Sequence, residues 1–344
     1  MRAAGLNESV ARGLAYLRRS QLPSGEFQVY MSTDHALAQD AFFDSSPFPT
    51  ALVVYSLGFA RAEEAGDIIE KSLRFFVEEM EGPGLWRYWT KRHPYHSVIP
   101  PDLDDVACVS YVLRRHGVEF PDNLPLVLAN RSPAGLFYTW LTPRPRMPAL
   151  PAYWRAVRPQ LLSPLKLYYF WRANESKPRD VDCVVNANVL LYTGERAEAR
   201  PVVAYLIDSL RRGVEGCCDK WHLNPFMFQY AVSRCYQAGV AALGEIRGES
   251  VARIVAAAKP DGAFGESALD TALAACALMN WGAAPPELES ALRRLLAAQR
   301  QDGSWPRAVL YYGGPKKYYG WGSEELTTGF CLEALIRGRE CRAT

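Results

Sequence analysis

The sequence lacks a long uncharged apolar run, a strong excess of charge of either sign, and any Cys-x-x-Cys pair. A membrane-spanning helix needs about 20 mostly apolar residues, so none is predicted. The formal net charge of +2 argues against a nucleic-acid-binding surface, which would concentrate basic residues. Because the first residues also lack the basic and apolar pattern of a secretory signal, we expect a cytoplasmic protein.

The eight cysteines mostly lie within apolar helical patterns, at positions 108, 183, 217, 218, 235, 276, 331 and 341. Without Cys-x-x-Cys spacing, reduced thiols in the core are favoured over disulfides or a zinc cluster, and no metal site is predicted. Long alternations of apolar and polar residues are missing too. The sequence therefore predicts an all-α protein.

A repeat of two helices occurs six times along the chain. Each unit has an amphipathic helix, a Gly-containing turn ending in an aromatic residue, and a helix that is apolar nearly all round. The first kind is predicted at 10–21, 62–80, 124–130, 195–213, 243–258 and 286–299, and the second at 50–58, 102–117, 180–194, 225–239, 269–282 and 325–338. Helices that are apolar on all sides must lie inside the others. We predict an (α/α)6 barrel of six inner and six outer helices, forming a single domain over residues 1–344.

One stretch, residues 142–179, interrupts the repeat and is rich in proline, arginine and aromatic residues. A segment inserted before an inner helix would lie over the mouth of the barrel. We interpret it as a lid or as an interfacial element whose apolar side chains contact a membrane while its arginines and Lys166 meet lipid head groups. A simple surface excursion is the alternative.

Three carboxylates lie at the start of the second inner helix, in Pro100-Pro101-Asp102-Leu103-Asp104-Asp105. The prolines favour extended backbone, and Asp102 stands at the expected N-cap. Carboxylates this close raise one another's pKa, and an apolar cavity would keep the last proton on a strong neutral acid. Such an acid can protonate an alkene or an epoxide. Acids at convergent helix N-termini are also explained by the helix dipoles alone.

Two features resemble the class II terpene cyclase superfamily, of the squalene-hopene cyclase kind. The segment Gln299-Arg300-Gln301-Asp302-Gly303-Ser304-Trp305 resembles the family's Gln-to-Trp repeat, of which residues 21–27 are a weaker copy. Asp102-Leu103-Asp104-Asp105 matches its Asp-x-Asp-Asp acid motif. The resemblance implies that Asp104 is the proton donor, and that Asp102 and Asp105 support it.

The resemblance also implies the rest of the site and its substrate. A polar residue of the next inner helix would orient the acid, and Asp182 with Asn186 has the appropriate spacing. The predicted aromatic wall around a linear polyprenyl substrate consists of Phe48, Trp86, Trp89, Trp221, Phe226, Tyr319 and Trp321. No cofactor is implied. Magnesium would be needed only if the substrate carried a diphosphate, and the acidic magnesium motif of diterpene cyclases is absent.

The larger cyclases place their cavity between two barrels, whereas this chain has one. Its cavity must then be closed by the insert, by a partner subunit such as a second copy, or by a membrane. Three other functions stay open. They are a protein prenyltransferase with a zinc cluster at Cys217, Cys218, Asp219 and His222, a carbohydrate-active enzyme using Asp104 with Asp182 or Glu325, and a non-catalytic barrel that binds prenyl lipids.

Overall fold

The computed structural model describes residues 3–144 and 150–340. Within these ranges the chain has fourteen α-helices. They are α1 (Ala3–Ser20), α2 (Pro47–Leu57), α3 (Ala62–Glu79), α4 (Leu103–Arg115), α5 (Leu124–Ala129), α6 (Pro151–Leu161), α7 (Pro164–Asn174), α8 (Cys183–Thr193), α9 (Arg200–Arg211), α10 (Pro225–Gln237), α11 (Arg247–Ala256), α12 (Ala268–Asn280), α13 (Pro286–Ala298) and α14 (Glu324–Glu340). Short 3-10 helices lie at Ala197–Ala199, Ala241–Ile246 and Pro315–Lys317.

Six of these helices form a closed inner ring. Helices α2, α4, α8, α10, α12 and α14 each pack against the next, and α14 returns to α2. Every residue of α2 and α8 is buried, as a helix enclosed on all sides requires. Helix α3 of the outer ring instead buries one stripe, Ala65, Ile68, Ile69, Ser72, Phe75 and Phe76, at helical spacing. The predicted all-α double ring is confirmed.

Two glutamines tie neighbouring outer helices together at the turns. Gln299 donates to the Ser9 carbonyl at 2.9 Å, and Gln21 donates to the Ile68 carbonyl at 2.9 Å. The aromatic residue of the turn is fixed in a repeated way. Trp305 Nε1 donates to the Leu295 carbonyl at 2.8 Å, and Trp86 Nε1 donates to the Phe76 carbonyl at 2.8 Å. These side chains therefore lie between the two rings.

A small antiparallel sheet, which the sequence did not predict, joins the first and last units. Its strands are β1 (Tyr30–Ser32), β2 (Phe42–Phe43), β3 (Tyr311–Gly313) and β4 (Tyr319–Gly322), in the order β2-β1-β4-β3. The register pairs Tyr30 with Gly322 and Tyr311 with Trp321. Strands of two to four residues are too short for an alternating pattern to stand out.

The insert forms a helical hairpin, α6 and α7, with proline in the first turn of each helix. Phe170 and Trp171 contact the ring of Trp140 edge-on, at centroid distances of 5.0 and 5.6 Å. Residues 145–149 of the insert lie outside the described ranges. In the described part of the chain, no helix is both long and apolar enough to cross a bilayer.

The prediction of reduced core thiols is wrong for one pair, because Cys183 and Cys218 form a disulfide. Cys183 begins α8, and Cys218 lies in the loop before α10, with a Cα–Cα distance of 5.7 Å. The two residues belong to successive repeat units and are 35 positions apart, so spacing along the sequence does not reveal the pair. Cys108, Cys235, Cys276 and Cys331 are buried free thiols, Cys217 is exposed, and Cys341 lies outside the described residues.

Candidate active site

A cavity opens where the N-termini of the inner helices meet the small sheet and α7. It contains about 640 Å³ of space between atoms, including the open solvent at its mouth. Its lining is mostly aromatic, with one group of acids, and comprises Phe48, Tyr88, Trp89, Ile99, Asp102, Asp104, Asp105, Thr139, Trp140, Phe170, Asn174, Val185, Trp221, His222, Tyr311 and Trp321.

The acids are positioned by the start of α4. Asp102 is the N-cap predicted from the sequence, and its side chain accepts the backbone N–H of Asp105 at 2.9 Å. The preceding backbone is held extended, since the Leu141 N–H donates to the Pro101 carbonyl and the Leu103 N–H donates to Thr139. This fixed entry places all three carboxylates in the first turn of the helix, at the cavity wall.

Asp104 has two side-chain partners, and both come from later units of the repeat. Asn188 Nδ2 of α8 donates to Oδ1 of Asp104 at 2.6 Å. His222 Nε2, in the loop before α10, lies 3.4 Å from Oδ2. Asp104 is 9% exposed and lines the cavity, so its carboxyl group is held on one side and faces apolar space on the other.

Behind Asn188 lies a buried guanidinium. Arg234 of α10 donates to Oδ1 of Asn188, and its guanidinium carbon lies 4.7 and 4.6 Å from the ring centroids of Tyr55 and Tyr230. It is 1% exposed, and within the described residues no carboxylate is within ion-pair distance of it. A relay from Arg234 through Asn188 thus ends at the carboxyl group of Asp104.

The other two acids hold protons more tightly than usual. Burial, with the charge of Asp104 adding to it, raises the pKa of Asp102 to about 6. Burial and the neighbouring Asp102 raise the pKa of Asp105 well above its ordinary value. Ionisation of one carboxyl of this group therefore opposes ionisation of its neighbours.

The loop that carries His222 is fixed by Asp219. The carboxylate of Asp219 accepts the backbone N–H groups of Val184, Trp221 and His222 at 3.0, 2.8 and 2.9 Å. The disulfide at Cys218 holds the same loop to α8. Burial alone would lower the pKa of His222, but its hydrogen bond with Asp104 and the charge of Asp219 outweigh burial and raise that pKa.

Asp182 and Asn186, expected to orient the acid, contact other groups. Asn186 exchanges hydrogen bonds with the backbone of Phe137, at 2.9 and 3.0 Å. Asp182 accepts from Thr139 Oγ1 at 2.5 Å and from the Lys220 N–H at 2.9 Å. The side chain that reaches Asp104 is Asn188, two residues further along α8, which is about 200° around a helix.

Of the predicted aromatic wall, Phe48, Trp89, Trp221 and Trp321 line the cavity. Trp86 does not, because its position in the repeat turn places it between the rings. Phe226 packs edge-on against Phe264, and Tyr319 packs against Trp321. Four lining aromatics were not predicted, Tyr88, Trp140, Phe170 and Tyr311. In the structure, Trp140 pairs with Asp102 of the acid stretch through an isolated β-bridge.

A single carboxylate orients several wall residues. Asp44 accepts Trp89 Nε1 at 2.9 Å on one oxygen and Trp321 Nε1 at 2.6 Å on the other. The Tyr88 hydroxyl is 3.3 Å from it, and His93 Nε2 is 3.2 Å away. Asp44 therefore fixes the orientation of two indole rings on the cavity wall.

With this geometry established, the chain can be compared with known proteins. It shares its fold with the type II terpene cyclase MstE from Scytonema. An MstE variant with bound geranylgeranyl dihydroxybenzoate, its substrate, superposes with a TM-score of 0.72 at 16% identity, covering 98% of each chain. A protein from Actinoplanes superposes with a TM-score of 0.70 at 18% identity, covering 97% of this chain and 99% of that one. The sequence matches no protein-family model and no curated protein.

Three of the four candidate zinc ligands are engaged elsewhere, and the fourth, Cys217, is an exposed free thiol. Cys218 is in the disulfide, Asp219 accepts backbone N–H groups, and His222 faces Asp104. Over residues 3–144 and 150–340, no three His, Cys, Asp or Glu side chains are grouped as a metal site would need. The donors proposed for a zinc cluster therefore do not converge.

Asp44→Asn should destabilise the protein. The isosteric amide replaces one acceptor oxygen with a donor, so one buried indole N–H loses its partner, which costs about 1–3 kcal/mol. Urea denaturation measures this loss. The matched control is Asp67→Asn, which affects only an exposed pair with Arg18 and should cost at most about 1 kcal/mol. Equal losses in the two variants would contradict the role of Asp44.

Stability should fall as the pH rises from 5.5 to 8.5. Burial raises the pKa of Asp102 to about 6 and the pKa values of Glu26, Asp182 and Glu325 to about 7. A group whose pKa is higher in the folded state than in the unfolded state stabilises the fold fully at pH values below its unfolded-state pKa. This contribution is lost as the pH rises through the folded-state pKa. The urea midpoint measures the fall. Glu325→Gln should flatten the slope, and a midpoint constant over this range would contradict the prediction.

Proposed function

We propose that this protein is a class II-type terpene cyclase, in which Asp104 protonates a terminal alkene or epoxide of a linear polyprenyl substrate. One observation carries the proposal. The carboxyl group of Asp104 is buried at the wall of an aromatic cavity and hydrogen-bonded from behind by Asn188 and His222. The shared fold with MstE, which has been captured with a geranylgeranyl substrate, supports the same choice.

The first step is a proton transfer. The O–H bond of protonated Asp104 breaks as a new C–H bond, or epoxide O–H bond, forms on the substrate, leaving a carboxylate and a carbocation. The Asn188 amide then donates to the new carboxylate, and the guanidinium behind it adds positive charge without entering the cavity. Asn188 and Arg234 are thus positioning residues, since neither lines the cavity.

The later steps need a dry, aromatic surface. Successive π bonds attack the cation and close rings, while the faces of Phe48, Trp89, Trp221 and Trp321 stabilise the moving positive charge. Loss of a proton from the last cation gives a product that is an isomer of the substrate. Capture of the last cation by water gives a product one water heavier. No metal or cofactor enters these steps, and magnesium would be proposed only for a diphosphate substrate.

The decisive experiment uses deuterated water. Purified protein is incubated with geranylgeranyl dihydroxybenzoate, geranylgeraniol, squalene and oxidosqualene, and the products are analysed by mass spectrometry. Protonation of an alkene by an exchangeable acid should place one retained deuterium from solvent on the initiating carbon of the cyclic product. An epoxide start places it on a hydroxyl oxygen, where it exchanges away, so for oxidosqualene the readout is the cyclic product itself. Unchanged lipids throughout, with binding retained, would favour the alternative of a non-catalytic lipid-binding barrel.

The remaining alternatives have separate readouts. A prenyltransferase would contain stoichiometric zinc and transfer a prenyl group from a diphosphate to a peptide thiol. A carbohydrate-active enzyme would pair Asp104 with Asp182 or Glu325. Asp182 is however occupied by Thr139 and Lys220, and Glu325 lies 3.4 Å from the Tyr16 hydroxyl and does not line the cavity. We therefore favour neither.

A further inference from the structure

The insert hairpin, residues 151–174, exposes an unusual amount of apolar surface. Six of the eleven large hydrophobic side chains exposed in the described structure lie on it. They are Trp154 (46%), Leu161 (51%), Leu162 (72%), Leu165 (72%), Tyr168 (58%) and Tyr169 (67%). A concentration of this kind marks an interaction surface rather than the scattered apolar residues of an ordinary exterior.

The charge around this surface has one sign. Residues 123–174 contain seven arginines and lysines and no aspartate or glutamate, although acidic residues number 37 in the whole chain. Four of the cations, Arg155, Arg158, Lys166 and Arg172, are exposed on the hairpin itself. None of these four has an ion-pair partner among the described residues. The surface would therefore complement a partner that is apolar in its interior and negatively charged at its surface.

The opposite face of the hairpin is attached to the barrel. The Tyr153 hydroxyl and Gln160 Nε2 donate to the backbone carbonyls of Thr142 and Leu141, each at 2.7 Å. Phe170 and Asn174 of α7 line the cavity. One side of the hairpin thus covers the cavity while the other presents apolar and basic side chains outward.

We propose that residues 151–174 dock the protein on an anionic lipid bilayer, with the leucines and aromatic rings in the interfacial region and the cations at lipid head groups. A second copy of the chain fits this surface less well. A two-fold contact would bring the same patch against itself and oppose four cations to four cations. Bilayer docking would also bring the cavity next to a store of apolar substrate, a consequence that rests on the proposed cyclase function.

Vesicle co-sedimentation of the full chain tests this proposal independently of catalysis. Phosphatidylcholine vesicles are compared with vesicles containing 30% phosphatidylglycerol, at low and high salt. The double variant Leu162→Ser/Leu165→Ser should weaken binding to anionic vesicles roughly tenfold. Arg155→Gln/Arg158→Gln should weaken it roughly 25-fold, from about fivefold per cation, without changing the weak binding to neutral vesicles.

Matched controls lie outside the hairpin, at the C-terminal ends of two outer helices. Val77→Ser removes an exposed apolar side chain from α3, and Arg212→Gln removes an exposed cation at the residue that follows α9. Both should bind vesicles as the parent protein does. Parent protein that stays in the supernatant with both vesicle types would overturn the proposal. So would self-association, measured by sedimentation velocity, that the double leucine variant abolishes, because the surface would then be a contact between copies.

Discussion

Replacing Asp104 with asparagine should reduce cyclisation by about 10³-fold or more while leaving folding and substrate binding intact. The amide has the shape of the acid and can still contact Asn188 and His222, but it has no acidic proton to give to an alkene. General acid catalysis typically contributes 10²–10⁴-fold, and among the described residues no other carboxyl group accepts a hydrogen bond from the Asn188 side chain. Mass spectrometry of the product measures the loss of cyclisation, and the urea midpoint shows whether the fold is retained.

The matched control is Asp208→Asn, which removes an exposed carboxylate that pairs with Arg212 on an outer helix. It should change neither activity nor stability appreciably. Full activity in Asp104→Asn would remove this residue from the mechanism and direct attention to Asp102 and Asp105. Loss of folding in that variant would be seen in the urea curve and would not count as loss of catalysis.

Replacing Arg234 with methionine should lower kcat roughly 10²-fold with little change in stability. The guanidinium adds positive charge behind the Asp104 carboxylate that remains after proton transfer, and removing a preorganised group of this kind costs about 10²–10³ in rate. Removing an unpaired buried charge favours folding, whereas the unpaired Asn188 oxygen opposes it, so the unfolding free energy should shift by less than about 2 kcal/mol. KM should not move, because Arg234 does not line the cavity.

Arg337→Met provides a comparison with the opposite pattern. Arg337 is also buried, but it pairs with Glu333 at 3.0 Å. Its removal leaves a buried carboxylate unpaired and should cost about 3–5 kcal/mol of unfolding free energy without slowing the folded enzyme. Arg234→Lys keeps the charge and should retain part of the lost rate. If both methionine variants lost stability alone, Arg234 would be structural, and the relay to Asp104 would be disproved.

The barrel was predictable because its two kinds of helix differ in the width of their apolar faces. Residues 62–80 are apolar along one stripe only, whereas residues 269–282 are apolar on nearly all sides. The structure accordingly places α3 in the outer ring and α12 in the inner ring. The N-cap at Asp102 was also predictable, since prolines and an aspartate before an apolar run define a helix start locally. Both signals lie within one segment of the chain.

The partners of Asp104 were not predictable in this way. Asn186 and Asn188 are both amides in an apolar helix, and only the packing of α8 decides that residue 188 faces the acid. His222 lies 118 residues from Asp104 and has no periodic relation to it. Trp86 was predicted to line the cavity because it is aromatic. The hydrogen bond that this residue of the repeat turn donates to the Phe76 carbonyl instead holds it between the inner and outer rings of helices.

The bridge between Cys183 and Cys218 has a practical consequence for anyone who assays this protein. It braces the loop that carries His222 to Asp104, and dithiothreitol in the buffer would leave that loop held by non-covalent contacts alone, among them those of Asp219 and Asp182. Rates recorded with and without a thiol reagent would then describe two differently supported active centres. The redox history of a preparation should accordingly be recorded beside every turnover number.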